Sequence, residues 1–502
     1  MREDGGGSTS RPRVRQEGED MAGGIDFRFD FSLVHEGNLR NGEGLTPLKM
    51  SRALGRAQRA ANKLASRHAA GEIGFPGLPF LEKEARALSR YAAGMRKRFT
   101  HLLVLGIGGS ALGTKAVYEG VGGESARKGL RLTVADNVDP DGFFPLLRSH
   151  PMKTTAVVAI SKSGGTAETN AQLALAIEGL KKANGKKWKD HLVLITDPSR
   201  GVFRRFADSE GIASFSVPPN VGGRFSVLSA VGLLPLAAAG VSGEKLLAGA
   251  RWMESVFRGA RGEKNPVLAG AAVYSHYLTD NPKPVHVWFT YGEGLARVAE
   301  WWQQLWGESL GKRRPSGTPV GQTPARAVGV TDQHSQVQLY QDGPADKVFT
   351  FVKWMGGEEK GSMPAQGFAP GMEMLGGRPL RDLFHAEFEA TIGALWKAGR
   401  PIVRMEVGKR DEAHLGAFLH YWEWVTAIAG ECAGVDPFDQ PGVEEGKIIT
   451  RALMGEKGSG KRGEEFLRVM RNRVSAEIRI AGGSPSGGKR RRATRRSGKE
   501  RG

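Results

Sequence analysis

The sequence predicts an α/β fold built from two doubly wound parallel sheets. Short runs of consecutive aliphatic residues recur along the chain, which is typical of strands that are buried on both faces. Helical patterns separate these runs, as the crossover connections of a parallel sheet require. A length of 502 residues exceeds what one ordinary core accommodates, which favours two such sheets over one.

The elements can be assigned in chain order. Residues 25–31 alternate between apolar and polar side chains and predict a strand with one exposed face. Residues 46–68 are rich in alanine and carry Pro47 in the first helical turn, which predicts a long helix. The remaining strands are expected at 102–105, 156–160, 192–195 and 215–217 in the first sheet and at 285–290, 348–352 and 401–407 in the second.

These elements predict two folded regions with extensions at both ends. We expect the first α/β domain, with an N-terminal helical segment, at 25–250, the second at 251–435, and a C-terminal helical segment at 436–480. The outer segments 1–24 and 481–502 are rich in glycine and charge and poor in apolar residues, so we expect both to be disordered.

Composition excludes several classes of protein. The single cysteine, Cys432, allows no internal disulfide and no cysteine-built metal site. No apolar run reaches the roughly 18 residues that span a bilayer, and no signal-peptide pattern opens the chain, so we expect a cytoplasmic protein. The net charge is +19, but residues 489–502 hold eight cations against one acid and no aromatic residue for base stacking. We therefore expect a basic tail without a dedicated nucleic-acid partner.

The loop at 106–111 favours an anion. It joins a strand to a helix, where unpaired backbone N–H groups and the helix dipole attract phosphate, and Ser110 adds a hydroxyl donor. The same residues fit the G-x-G-x-x-A pattern of a dinucleotide fold, with Asp136 as the acid that would bind a ribose. This loop alone leaves both interpretations open.

The loop at 161–166 favours phosphate over a dinucleotide. A second strand-to-helix connection carries three hydroxyl groups, on Ser161, Ser163 and Thr166, with a lysine and two glycines between them. Two hydroxyl-rich loops at neighbouring strand ends can surround one phosphate, whereas a dinucleotide needs only the first. Thr166 could be an ordinary helix N-cap, but a cap uses one hydroxyl, not three and a lysine.

Residues in the middle of the chain predict proton transfer. Arg224 lies between glycines and an apolar helix, where a cation suggests an electrostatic task, although a structural salt bridge is the alternative. Gln304 and Glu308 share one helix face in mostly apolar surroundings. Burial raises the pKa of a carboxylate toward the range that a general base requires. In isolation, a Glu308–Lys312 pair on a solvated helix is the simpler explanation.

Three later residues carry weaker signals. His334 stands among polar residues after a strand-like segment, and a lone histidine is most often structural. Gln440 and Lys447 lie seven residues apart at the proline- and glycine-containing start of a late helix. Such a lysine is normally a surface residue.

Together these segments resemble the phosphoglucose isomerase family, in the family's order, over about residues 40–450. The strings at 221–226, 333–334 and 437–443 are the most specific and the first glycine loop is the least. The length resembles the short bacterial form. The resemblance implies two sugar-isomerase (SIS) domains and a homodimer whose active sites lie at the subunit boundary, with a contribution from the C-terminal helical segment.

The resemblance also implies a role for each candidate residue. Gln304 and Gln440 would contact and orient the substrate, and Glu308 would carry a proton between C1 and C2. Arg224 would stabilise the enediolate, whereas His334 from the neighbouring subunit and Lys447 would open the ring. The phosphate would be held by Gly109, Ser110, Ser161, Lys162, Ser163, Gly164, Gly165 and Thr166. The glycine pair at 164–165 departs from the bulkier eukaryotic loop and leaves loop flexibility and sugar selectivity open.

The expected activity is the interconversion of glucose 6-phosphate and fructose 6-phosphate, in glycolysis and gluconeogenesis, by ring opening and enediolate proton transfer. No metal or cofactor is expected, because no ligand-like cluster of His, Asp and Glu is apparent and Arg224 can supply the positive charge. Three alternatives stay open: a non-catalytic phosphosugar-binding protein, a nicotinamide oxidoreductase, and a related isomerase that also accepts mannose 6-phosphate, since epimer choice depends on pocket shape.

Overall fold

The computed structural model describes residues 24–39, 42–123, 129–356, 361–365, 369–456 and 460–473. Apart from Gly24, the segments expected to be disordered, 1–24 and 481–502, lie outside these ranges. The strands are β1 (Phe27–Asp30), β2 (His101–Leu105), β3 (Arg131–Ala135), β4 (Thr155–Ile160), β5 (Leu192–Thr196), β6 (Ala213–Ser216), β7 (Val285–Tyr291), β8 (Lys312–Arg313), β9 (Pro319–Val320), β10 (Thr323–Gly329), β11 (Lys347–Trp354) and β12 (Ile402–Val407). The helices are α1 (Pro47–Ala69), α2 (Glu82–Arg98), α3 (Leu112–Gly120), α4 (Pro140–Ser149), α5 (Ala167–Asn184), α6 (Val202–Glu210), α7 (Ala230–Ala238), α8 (Gly243–Gly259), α9 (Pro266–Ser275), α10 (Glu293–Leu310), α11 (Val337–Asp342), α12 (Leu380–Lys397), α13 (Glu412–Ala433), α14 (Glu444–Leu453) and α15 (Gly460–Arg471).

The first sheet is entirely parallel, with strand order β3-β2-β4-β5-β6. The chain enters at β2, moves outward to β3 and then crosses to β4 on the other side of β2. The strand order therefore reverses between β2 and β4, and ligands of such sheets bind at the carboxyl ends of the strands at this switch point.

The second sheet has the order β1-β12-β11-β7-β10 and is parallel except for β1. Its parallel strands repeat the doubly wound order of the first sheet, with β7 and β11 at the switch point. The strand predicted at 25–31 is present as β1, which pairs antiparallel with β12, with Phe27 opposite Val407. Thus the first strand of the chain belongs to the sheet whose other strands come later in the sequence.

Both sheets are covered on both faces, as their aliphatic strands predicted. In β4, Val158 and Ile160 join a large apolar cluster on one face, whereas Val157 and Ala159 join a separate cluster on the other. The large cluster also contains one face of the second sheet, including residues of β11 and β12. The two doubly wound sheets therefore share a core, and the predicted fold class is confirmed.

The chain divides into two compact units. The first ends at Asp439, and the second begins at Gln440. The first unit contains both sheets, and the second contains α14 and α15. The predicted boundary near residue 250 lies inside the first unit, so the division into two SIS domains stays a prediction. No helix among the described residues is both long enough and apolar enough to cross a bilayer.

Candidate active site

The first glycine loop follows β2 and enters α3 through a short 3₁₀ turn, Gly108–Ser110. Gly108 has a φ of +55°, a conformation that glycine adopts without strain. A Cβ on Gly109 would lie 2.2 Å from the carbonyl carbon of Gly223, so only glycine permits this approach. The backbone that carries Arg224 consequently lies directly against the first loop.

The second loop follows β4, which is the immediate neighbour of β2 in the sheet. Ser161 is buried, its Oγ lies 3.0 Å from Thr166 Oγ1, and it accepts a hydrogen bond from the Gly164 N–H at 3.0 Å. Thr166 occupies the N-cap position of α5, but its side chain makes no capping hydrogen bond. Its hydroxyl group is directed into the loop, so the simple N-cap explanation does not account for it.

Gly164 explains the departure from a bulkier loop. Its φ is +65°, and a Cβ would lie 2.4 Å from the backbone nitrogen of Phe203 at the start of α6. Ser163 is exposed and accepts a hydrogen bond from the Gly165 N–H at 3.1 Å. The loop is thus packed against α6 through glycine and keeps hydroxyl groups at its surface.

Lys162 points toward the segment that precedes Arg224. Its ammonium donates hydrogen bonds to the carbonyl oxygens of Pro219 at 2.6 Å and Val221 at 2.9 Å. Burial lowers the pKa of Lys162, and attraction by Asp197 opposes this effect. Two of its three N–H donors therefore serve the protein, and its predicted contact with phosphate stays a prediction.

Arg224 is buried and fixed from three directions. Its Nε donates to Ser309 Oγ at 2.7 Å, and its Nη1 forms an ion pair with Glu308 Oε2 at 3.2 Å. Its Nη2 donates to the carbonyl oxygens of Pro437 and Asp439 at 2.6 and 2.9 Å. Burial lowers the pKa of Arg224 and the Glu308 carboxylate opposes this, but a guanidinium stays charged in proteins. The site therefore contains a permanent, oriented cation.

Glu308 lies in the last turn of α10, with a quarter of its side chain exposed. It is therefore less buried than its apolar sequence neighbours predicted. The carboxylate oxygen that contacts Arg224 also accepts a hydrogen bond from Gln304 Nε2 at 3.3 Å. Gln304 Nε2 in turn lies 2.9 Å from the place of a Cβ on Gly108. The carboxylate, the cation and the first glycine loop thus meet.

The alternative Glu308–Lys312 pair is not formed. Lys312 lies beyond the end of α10 and forms an ion pair with Asp439 at 2.6 Å. Its ammonium also donates a hydrogen bond to the carbonyl oxygen of Asp436. Glu308 instead pairs with Arg224, which makes the pair a feature of the site and not of a solvated helix face.

The local surroundings of three further predicted residues are also described. His334 is exposed after the 3₁₀ turn Thr331–Gln333, and its ring makes no hydrogen bond to the described residues. Gln440 and Lys447 belong to the C-terminal unit, where Lys447 is exposed on α14 and paired with Glu444 at 2.7 Å. Among the predicted residues, direct contacts or a close approach of the adjoining backbone join Gly109, Arg224, Gln304 and Glu308, and Ser110 follows Gly109 in the chain.

The nicotinamide alternative depends on the carboxylate of Asp136, which already has a partner in the protein. Asp136, which follows β3, forms an ion pair with Lys115 of α3 at 2.8 Å. A carboxylate that binds a ribose needs free acceptor capacity beside the glycine loop. Here the helix that follows this loop supplies a lysine to the same carboxylate, which does not favour nucleotide binding.

Sequence reasoning missed the partners that hold Arg224. Ser309 is fully buried and accepts a hydrogen bond from Arg224. The almost fully buried side chain of Lys312 pairs with Asp439, whose carbonyl oxygen accepts another hydrogen bond from Arg224. Their polar side chains at the end of an apolar helix were the available signal. The carbonyl oxygens of Pro437 and Asp439 gave no signal in the sequence, because every residue carries a carbonyl group.

A cavity of about 520 Å³ lies elsewhere, between the start of α1 and the turn after α9. Lys49, Arg52 and Arg56 contribute to its lining together with Glu43 and Asp280. None of the predicted site residues lines it, so it is separate from the site described above.

The solved structures define the fold first. The fold matches that of a glucose-6-phosphate isomerase from Chlamydia trachomatis, with a TM-score of 0.68 and 24% identity over 78% of this chain and 76% of that chain. A hypothetical protein from Thermus thermophilus has a TM-score of 0.78 and 36% identity, over 86% of this chain and 100% of that chain. The chain thus shares the fold of these two proteins.

The particular family follows from the sequence comparisons. The chain belongs to the phosphoglucose isomerase family, whose model matches residues 86–467. A glucose-6-phosphate isomerase from Carboxydothermus hydrogenoformans is 41% identical over 412 residues, which is 80% of this chain and 88% of that relative. The resemblance drawn from the motifs is confirmed.

Proposed function

We propose that this protein interconverts glucose 6-phosphate and fructose 6-phosphate, a step of glycolysis and gluconeogenesis. The observation that carries the proposal is the 3.2 Å ion pair between Glu308 and the buried Arg224, which lies against the first glycine loop. A base and a cation held beside an anion-binding loop are the groups that an enediolate mechanism requires.

The reaction is proposed to proceed on a substrate that is held by its phosphate group. The loops at 106–111 and 161–166 bind the phosphate, and this binding energy positions the reacting carbons. After the ring opens, Glu308 removes the C2 proton of the aldose and returns a proton to C1. Arg224 stabilises the negative charge on the enediolate oxygens. O1 gains a proton and O2 loses one as the carbonyl group moves from C1 to C2, so the reaction needs no oxidant or reductant.

The assembly proposed here is a homodimer with shared active sites. His334 supports this proposal because it is exposed and its ring makes no hydrogen bond to the described residues, as suits a histidine that acts on a neighbouring subunit. Gln440 and Lys447 keep the roles in substrate contact and ring opening that the family resemblance implies. We further propose a cytoplasmic location, since one partly buried cysteine fits a reducing compartment.

The direct test is turnover by the purified full-length chain. Fructose 6-phosphate is supplied, and the glucose 6-phosphate formed is measured through a coupled dehydrogenase. The proposal expects conversion in both directions without added metal or nicotinamide in the isomerase step. The absence of turnover in both directions would overturn it. A parallel assay with mannose 6-phosphate measures how strictly the site selects the epimer.

A further inference from the structure

We propose that Lys162 is a positioning residue that couples the phosphate loop to Arg224. The inference rests on the proposed function and gives Lys162 a role other than that of a phosphate ligand. In this role, binding of the substrate's phosphate group at 161–166 fixes the segment that carries the cation for the enediolate.

The contacts of Lys162 join two loops that meet the substrate at different places. Its ammonium reaches the carbonyl oxygens of Pro219 and Val221, at 2.6 and 2.9 Å. Val221 is three residues before Arg224, and Gly222 and Gly223 lie between them. A restraint on the Val221 carbonyl therefore limits where the following short turn, Gly223–Phe225, can place the guanidinium.

The backbone of Lys162 is itself anchored. Its carbonyl oxygen accepts hydrogen bonds from the Asp197 N–H at 3.1 Å and from Thr196 Oγ1 at 3.2 Å, both at the carboxyl end of β5. The residues on either side, Ser161 and Ser163, are two of the proposed phosphate donors. A change in the conformation of this loop must therefore move the lysine or strain its contacts.

A lysine is suited to this task because the backbone carbonyl groups of the segment that it holds accept hydrogen bonds from a side chain. Residues 218 and 219 are both prolines and supply no N–H group. The ammonium has three donors on a flexible stem and uses two of them on the carbonyl groups of Pro219 and Val221. Methionine has similar length and apolar character but no donor, so it removes the restraint with little change in volume.

The two roles predict different kinetic effects. Loss of a phosphate ligand weakens substrate binding, which raises KM and the inhibition constant of inorganic phosphate. Loss of a positioning residue misplaces Arg224, which acts only when charge develops, so kcat falls while phosphate affinity is kept. Measuring both constants in one variant therefore separates the two explanations.

The experiment compares Lys162→Met, Lys162→Arg and a control, Lys189→Met, in the full-length chain. Lys189 also donates to a backbone carbonyl, that of Glu210 at 2.9 Å, but it lies before β5 at the opposite end of the sheet from the loops. Turnover of fructose 6-phosphate, inhibition by inorganic phosphate and thermal unfolding are measured for each. If Lys162→Met does not fold, Lys162→Ala replaces it, because alanine also has no side-chain donor.

We expect Lys162→Met to lower kcat by roughly 10- to 100-fold, with KM and the phosphate inhibition constant changed by less than about 3-fold. Lys162→Arg should recover part of the lost turnover, and Lys189→Met should match the wild type. A raised KM and inhibition constant with unchanged kcat would overturn the inference, as would wild-type constants in Lys162→Met. The absence of turnover in the wild type itself would instead overturn the proposed function.

Discussion

Glu308 occupies a position that its own helix disfavours. It stands in the last turn of α10, where the negative end of the helix dipole repels a carboxylate. Arg224 and Gln304 offset this repulsion through contacts to the same oxygen atom. Both of these contacts are to Oε2, and the proposed function assigns the proton transfer to Oε1.

Replacement of this carboxylate tests its role as the proton carrier. Glu308→Gln keeps the size and hydrogen-bonding capacity of the side chain but removes the base, so turnover should fall by about 10²- to 10⁴-fold. The coupled assay measures turnover, and circular dichroism verifies that the variant is folded. Glu300→Gln, earlier on the same helix and paired with Arg297 and Arg326, is the matched control and should keep its activity. Near-normal turnover in Glu308→Gln would remove it from the mechanism.

For individual residues, the sequence indicated the type of chemistry better than it indicated how the side chains are arranged. Glu308 and Arg224 were predicted as separate candidates from their local surroundings, and they form an ion pair. The orientation of Lys162 could not be predicted, because a lysine between two serines suggests an anion site in any loop. Its partners lie 57 and 59 residues away in the sequence, and no local pattern specifies them.

Among the elements, the junction between the first glycine loop and the arginine loop depends on the smallest side chain. Gly109→Ala would place a methyl group 2.2 Å from the Gly223 carbonyl carbon and would push the two loops apart. We expect a loss of about 1–3 kcal/mol in unfolding free energy together with reduced kcat/KM. Thermal unfolding and steady-state kinetics measure the two effects.

Gly94→Ala is the control for this substitution. Gly94 is an exposed residue of α2, and a Cβ there meets no atom within 4 Å. Alanine should therefore leave activity unchanged and stabilise the helix by up to about 1 kcal/mol. Equal effects of the two substitutions would show that the loop junction is not the cause.

The interface of α8 and α13 contains a buried charge cluster with a defined pH dependence. His420 is completely buried and contacts Glu254 at 2.8 Å and Glu423 at 3.3 Å, while Arg258 pairs with the other oxygen of Glu254. Burial alone would lower the pKa of His420, but the hydrogen bonds to both carboxylates outweigh it and raise the pKa to about 9.

This shift predicts weaker stability at alkaline pH. A histidine whose folded pKa exceeds its unfolded value stabilises the fold fully below about 6.5, and the contribution disappears as the pH rises through about 9. The rise corresponds to about 3 kcal/mol. Thermal midpoints between pH 6 and pH 10 should fall steeply for the wild type and less steeply for His420→Gln. Parallel curves for the two proteins would contradict the assignment.

Strands with strong local signals were predicted, but β10 and the pairing of β1 with a distant strand were not. The aliphatic runs of β2, β4 and β5 are buried almost throughout, so composition alone identified them. β10 escaped assignment because its sequence, TPARAVG, mixes proline, arginine and small residues, with an irregular burial pattern. The pairing of β1 with β12 places Arg28 opposite Glu406, which is 378 positions away, and no local pattern encodes such a contact.

For the whole molecule, the proposed sharing of sites between subunits can be tested by complementation. Glu308→Gln and His334→Ala homodimers should each be inactive or nearly so. If His334 acts on the neighbouring subunit, a mixed dimer contains one intact site, and random reassembly of equal amounts should restore about a quarter of the wild-type activity. Denaturation and refolding of the mixture, followed by the coupled assay, measures this recovery. No recovery above the separate variants would place His334 and Glu308 in the same subunit's site.

The large cluster that joins both sheets limits how such a chain can be divided or recombined. A cut near residue 250 would expose apolar side chains in both fragments. The first fragment would expose the face of the first sheet that belongs to the large cluster, and the second would expose the buried tryptophans of α10 and α13. Each fragment would tend to aggregate alone and to gain structure only beside its complement. A half taken from a distant relative would meet the same obstacle, because its side chains were selected against a different opposing surface. The halves of this chain are therefore expected to change together over time, not to be exchanged as modules.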